Sequence, residues 1–477
     1  MLIHSRNAIK KLDIGRLFAR ESHEESSDLN FPITTIGILL VSLNKLMGYF
    51  AFPTPLRYPD SESYLPESLF DFSQVSVFGN ANRPWPITLT YSLLSSSTSI
   101  FIFQMLFSTL CWSFLLITSK KHFHSSKFFK PAQVSLIVLA LTPQINQWDS
   151  VLLAPSITIS LVVLTVAFLI RFKNVEPLRL LDRSSFLVLA LLVGSLKVTN
   201  LPIVLLIGFL LVQSCKKIAS RKLRLIQTLM VIFVISFVSI VGFNTNKYWE
   251  ASYSGTTLMW QLGEQSPVTS DYSIFLETRT KAPECLFEDA PFKDPGVAFN
   301  SKSQNCKEFS EYLKHEMSTD FMRFLISNPR AIVQSIATGV GAILSGAGSH
   351  YGNSFSLLPQ PVSEIYFGST SPTFTELGIS DQSSGSSLLE SATGFWLFGP
   401  SFLVATLLII SSMVCYLRKR VRPAWPITAG ILVMTFQLVI SIVLLPSEWF
   451  RQTIPFITAI FILGWIHLMD SSNKSHS

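Results

Sequence analysis

Apolar runs close to the length of one membrane crossing recur along this 477-residue chain, and no soluble fold could bury so many of them. They fall at 31–52, 98–118, 132–146, 151–170, 184–196, 201–214, 225–243, 395–417, 425–445 and 453–469. The expected architecture is an all-α polytopic membrane protein with about ten transmembrane helices, whose extracytoplasmic loops carry short amphipathic helices. Composition agrees, because 14% of the residues are charged and 48% hydrophobic, whereas a soluble surface needs about a quarter charged.

Charge orients the bundle. Lys and Arg gather at 6–20, 120–130, 171–183, 216–224 and 418–422. If 184–214 is two short helices broken at 197–200, every cluster falls on the side of the N-terminus, as the positive-inside rule requires. With one long helix the later clusters change sides. The expected topology is therefore multi-pass with both termini cytoplasmic, and the net charge of +7 is a consequence of topology. Residues 1–30 form a cytoplasmic segment without the features of a cleavable signal peptide. A transmembrane module follows at 31–243 with its first outer loop at 53–97, then a large extracytoplasmic segment at 244–394 and C-terminal transmembrane helices at 395–477. No basic stripe interleaved with aromatics points to nucleic acid.

Of the five cysteines, Cys285 and Cys306 lie in the large outer segment, where a disulfide persists, and closing the short loop between them is easy. Two unpaired thiols are the alternative. No Cys/His cluster has zinc spacing, and no metal ligand set is assigned. The chain has no Walker loop, no Gly-x-Gly-x-x-Gly after a strand, no Gly-x-Ser-x-Gly elbow and no His-Glu-x-x-His. Chemistry must come from the outer loops and the ends of the spans.

Three places hold suitable residues. The first is Arg57-Tyr58-Pro59-Asp60-Ser61-Glu62-Ser63-Tyr64, followed by Asn82-Arg83-Pro84-Trp85-Pro86. A carboxylate at the membrane surface can act as general base on a hydroxyl, and an Arg fork can hold a phosphate; the alternative is a solvated loop whose prolines stop helices. The second is the set of cations at outer span ends. Lys45 is close enough to its boundary to snorkel, Lys197 sits at the break between two half-length helices, and Arg451 opens the last span. The third is the stretch after Lys307, with apolar residues at Phe309, Tyr312, Leu313, Met317, Phe321, Phe324 and Leu325. It reads as an amphipathic helix lying on the membrane surface, or as an ordinary helix packed within the outer segment, broken or restarted at Pro329. Residues 345–387 are rich in Ser, Gly and Pro and read as a mobile loop.

One span, a proline-bracketed Asp-Ser-x-x-Tyr and then Arg-Pro-x-Pro leading into a second helix resembles the first outer loop of GT-C superfamily glycosyltransferases, polytopic enzymes that use polyprenyl-phosphate-linked sugars. The paired helices around Lys197-Val198-Thr199-Asn200, the stretch ending Ser327-Asn328-Pro329, and Ser447-Glu448-Trp449-Phe450-Arg451 before Pro455 resemble further family features. Lys stands at 197 where Arg is customary, and two extra residues separate Glu448 from Arg451. The resemblance implies sugar transfer at the outer face with Asp60 as catalytic carboxylate and Glu62 in reserve. Tyr64, Arg83, Lys197 and Arg451 would bind substrate, the three cations stabilising the departing lipid phosphate. The implied partners are a lipid-linked sugar donor and a glycan, lipid or protein acceptor. Such a mechanism needs no nucleotide site; no cofactor is assigned, and a divalent cation beside Asp60 stays an open alternative.

Two other classes compete. A surface polysaccharide polymerase or ligase would rely on Arg and His in the large loop, where His315 and His350 are available. A transporter would show internal repeats or polar residues at mid-membrane. The short N-terminus and scarce glycosylation sequons fit a bacterial plasma (inner) membrane and a role in the cell envelope.

Overall fold

The computed structural model describes residues 30–51, 64–66, 68–73, 75–79, 83–94, 96–141, 143–150, 152, 154–172, 180–197, 200–216, 220–252, 268–287, 307–345, 425–444 and 449–473. Among these residues the chain is helical, with no strand. The helices are α1 (Asn30–Ala51), α2 (Trp85–Leu94), α3 (Ser97–Phe123), α4 (Phe129–Leu141), the single turn α5 (Pro143–Asn146), α6 (Ala154–Phe172), α7 (Leu180–Leu196), α8 (Leu201–Lys216) and α9 (Arg221–Ser252). They continue with α10 (Thr269–Arg279), α11 (Lys307–His315), α12 (Met317–Ser327), α13 (Pro329–Ser345), α14 (Trp425–Leu444) and α15 (Trp449–Asn473).

Five of the described helices contain stretches long and apolar enough to cross a membrane: Ser97–Phe123, Ala154–Phe172, Arg221–Thr245, Trp425–Val443 and Thr453–Ser471. Shorter apolar stretches occupy Ile33–Leu46, Phe129–Leu141 and Leu201–Ser214. The expected span at 395–417 and the loop at 346–387 lie outside the described residues.

Local sequence explains the ends of these helices. Ser96 caps α3, its hydroxyl accepting from the Ser99 amide at 3.0 Å, while Lys120, Lys121 and His122 occupy the last turn, where cations complement the helix dipole. Arg171, at the end of α6, pairs with Asp182 of α7 at 2.9 Å. The buried Arg183 donates to Gln227 Oε1 of α9 at 2.8 Å. The basic ends of α6, α7 and α9 are thereby tied together, and the opposite ends of the helices face the connecting loops. We call these the basic end and the loop end.

α6 is the central helix, packed against α3, α7, α14 and α15 and buried on almost every side. Phe168 and Phe186 meet edge to face with ring centroids 4.9 Å apart, and Phe172 lies 4.4 Å from Phe186. Such contacts matter in lipid, where helix association relies on close packing more than on the hydrophobic effect. Gly194 is one point of close approach: a β-carbon there would meet Val238 Cγ1 at 2.6 Å and Val204 Cγ2 at 2.7 Å. It lets α7 lie against both α8 and α9.

Two expectations about helix extent change. The run at 132–146 is not one helix, because Pro143 cannot continue the hydrogen-bond ladder of α4, and a 3-10 turn, Gln147–Ser150, leads to α6. The stretch after Lys307 divides into α11 and α12, and Pro329 restarts the chain as α13. The expected break at 197–200 does separate two helices, α7 and α8.

A second, smaller core sits beside the bundle. All seven apolar residues that mark the periodicity after Lys307 are buried in it with Val268, Tyr272 and Leu276 of the α10 region. That face is buried against the α10 region, as an ordinary packed helix would be. Val443 of α14 packs against this core, and Val340 of α13 packs against the main bundle.

Gly194→Val should lower stability in detergent by about 1–3 kcal/mol, since overpacking must push α7 off its neighbours. Thermal unfolding that matches the parent protein would contradict this packing.

Candidate functional site

Polar residues buried among apolar helices are costly unless paired, so their positions mark where sequence has been spent on something other than packing. At the loop end two such groups stand out.

The first begins with Tyr64, which is 7% exposed although it follows a polar segment. The Arg83 guanidinium lies over its ring, 4.6 Å from the centroid. Tyr91 of α2 packs against Tyr64 with centroids 6.3 Å apart, and its hydroxyl accepts from Gln104 Nε2 of α3 at 3.2 Å. A cation, two phenol rings and an amide thus form one chain from the first loop to the wall of α3. The contact fixes where the Arg83 charge sits, over the Tyr64 ring just ahead of α2. Tyr64 and Arg83, both expected at the site, are therefore brought together.

The remaining expected residues are distributed as follows. Asp60 and Glu62 lie outside the described residues. Lys197 is half-buried at the end of α7, and α2, which follows Arg83, packs on α7. Two hydrogen bonds bridge the break after Lys197: its carbonyl accepts from the Asn200 amide at 2.9 Å, and buried Asn200 donates from Nδ2 to the Val193 carbonyl at 2.9 Å. Non-helical backbone in a membrane needs such partners. Arg451 falls in the first turn of α15, and its side chain is outside the described residues. Cys285, in the short 3-10 helix Glu284–Leu286, is disulfide-bonded. Cys306 is outside the described residues. No group of His, Cys, Asp or Glu among the described residues could hold a metal ion.

The second group corrects an expectation. Lys45 does not snorkel to the boundary; it is buried in α1 and pairs with Asp149 of the 3-10 turn at 2.5 Å, the two side chains being 2% and 5% exposed. Ser156 donates to the other carboxylate oxygen, Oδ1, at 2.7 Å. The turn packs on α1, α3 and α6, so the pair pins the connection before α6 to the first helix. Sequence reasoning missed Asp149. Its signal was a lone carboxylate in the short link between two apolar runs, opposite a lone lysine in another.

The second core holds a polar network of its own. Asp320, 3% exposed, accepts from the Tyr312 hydroxyl at 3.1 Å and from Arg323 Nη1 at 3.0 Å. The Tyr272 hydroxyl donates to the Met317 carbonyl at 3.1 Å. Burial is the main cause holding both phenols well above their ordinary pKa, and nearby Asp320 adds to it. They stay neutral donors, and the network is structural.

Breaking one side of the Lys45–Asp149 pair leaves an uncompensated buried charge, costing about 3–5 kcal/mol. Lys45→Met and Asp149→Asn should each destabilise the protein in detergent, and the double variant should recover part of that loss. Single variants as stable as the parent would contradict the pairing.

No family model, curated protein or solved structure matches the chain. The functional reading therefore rests on the residues and their chemistry.

Proposed function

We propose that the chain is a membrane glycosyltransferase of GT-C type that moves a sugar from a polyprenyl-phosphate donor to an acceptor at the outer face of the membrane. The observation that carries the reading is the Arg83 guanidinium stacked at 4.6 Å on buried Tyr64, immediately after the segment that contains Asp60. An arginine fixed on an aromatic ring, in the same loop of the sequence as a carboxylate, supports the reading of a lipid phosphate bound beside a hydroxyl nucleophile.

In this reaction the acceptor oxygen attacks the anomeric carbon as the bond from that carbon to the phosphate oxygen breaks. The bonding electrons leave with the lipid phosphate, whose negative charge Arg83, Lys197 and Arg451 stabilise. Asp60 takes the proton of the acceptor hydroxyl. The donor arrives already activated on its lipid, so no nucleotide site is needed. Glycans, lipids and proteins are all acceptors that such a site could serve. A Cys285–Cys306 bond would order the outer segment ahead of α11.

A transporter is the second reading, favoured by the buried Lys45–Asp149 pair, since intramembrane charge often marks an ion path. Sugar transfer leaves a product that transport does not. In cells lacking the protein and complemented with variants, Asp60→Asn should lower the glycosylated product by about 10²–10⁴-fold, the usual contribution of a general base, at an unchanged protein level. Mass spectrometry of the glycolipids and their acceptors is the readout. Near-parental product from Asp60→Asn would overturn the mechanism.

A further inference from the structure

The first outer loop presents a surface that water does not suit. Leu69, Phe70, Phe72, Val77 and Phe78 are all exposed, Phe70 and Phe78 by 59% and 60%. An exposed cluster of this size on a short loop normally marks an interaction site. It is also held rigidly. Phe70 has a φ of 60°, a left-handed conformation rare for a bulky residue, and its amide donates to the Ser92 carbonyl at 3.0 Å. Asn244 of α9 donates from Nδ2 to the Phe78 carbonyl at 2.9 Å.

The loop's position along α9 decides what covers it. Phe78 packs on Phe237 with ring centroids 6.1 Å apart. Gly79, at a φ of 86°, comes so close to α9 that a β-carbon there would collide with the Val241 carbonyl and lie 2.6 Å from Thr245 Oγ1. At roughly 1.5 Å per residue, Phe237 lies only about 20 Å along the axis from Arg224, and Val241 about 25 Å. The hydrocarbon core is about 30 Å thick, and any tilt of α9 lowers both residues further. With Arg224 at one boundary, the Phe78 ring meets α9 below the other, while Asn244 and Thr245, about 30 Å along the axis, hold the Phe78–Gly79 backbone close to that boundary.

We infer that the apolar side chains of the described residues in 68–79 insert into the lipid chains of the outer leaflet, with the loop backbone at the level of the headgroups. These side chains continue the exposed face of α9 formed by Leu229, Phe233, Ile240 and Phe243. The headgroup level suits the backbone, which local turns satisfy in part and water there can complete: the Val75 amide donates to Phe72 O at 2.9 Å, Gly79 to Ser76 O at 3.1 Å and Asp71 to Ser68 O at 3.2 Å. The Asp71 carboxylate is engaged as well, accepting from the Ser73 amide at 2.9 Å. The occupant of the surface is the bilayer itself, so the inference stands whether or not the chain transfers sugars.

The test is photo-crosslinking of the full chain in phospholipid nanodiscs, with p-benzoylphenylalanine introduced at Phe72 and, in separate samples, at Leu69 and at the lipid-facing Phe233. Phospholipid adducts at 72 in yield comparable with 233, in discs free of polyprenyl lipids, are the expected result. Position 69 gives the same reading should the Phe72 variant not fold. Three results would overturn the inference: no lipid adduct at 69 or 72 while 233 reacts, crosslinks to a second copy of the chain in place of lipid, or adducts that form only after polyprenyl phosphate is added.

Discussion

Inside a bilayer no water satisfies a polar group, and four polar contacts between segments of this chain answer to that constraint. Lys45 has Asp149, Asp149 has Ser156, Asn200 closes the break after Lys197, and Tyr91 has Gln104. Each contact joins segments that are separate helices or opposite sides of a helix break. Between distant helices, a lost partner would strand a buried charge or amide and cost more than most single packing contacts. The polar pairs therefore specify how the helices are arranged as well as stabilising them.

The helices long enough to span were legible from hydropathy alone, because α3, α6, α9, α14 and α15 each contain an apolar run that no soluble helix would carry. The separation of α7 from α8 was legible from charge, since basic clusters cannot alternate sides without cost. The interruption at Pro143 was masked by the apolar residues on both sides of it. The face of α11 and α12 had the right period, but period alone does not say whether an apolar stripe meets lipid or protein. The seven residues on that stripe meet α10 and its neighbours.

The site was legible only in part, for a related reason. Tyr64 and Arg83 carry a recognisable spacing after the first span, and they do stack. The partners that fix them, Tyr91 and Gln104, look like unremarkable members of α2 and α3, and only tertiary packing gives them a role. Lys45 and Asp149 are 104 residues apart. The apolar residues of 68–79 follow no helical or strand period, and their meaning depends on where α9 places them relative to the membrane.

The transferase reading requires that 53–97, 197–200 and 446–452 share one face of the membrane, which holds only if α7 and α8 are separate crossings. Epitope tags inserted at 217–219, at 380 and after Ser477 test this directly, by antibody access to intact and permeabilised cells. The tag at 380 should be read in intact cells, and those at 217–219 and the C-terminus only after permeabilisation. A 217–219 tag read from outside would leave Lys197 in mid-membrane and put Arg451 on the face opposite Arg83, and a single site shared by the three could not exist.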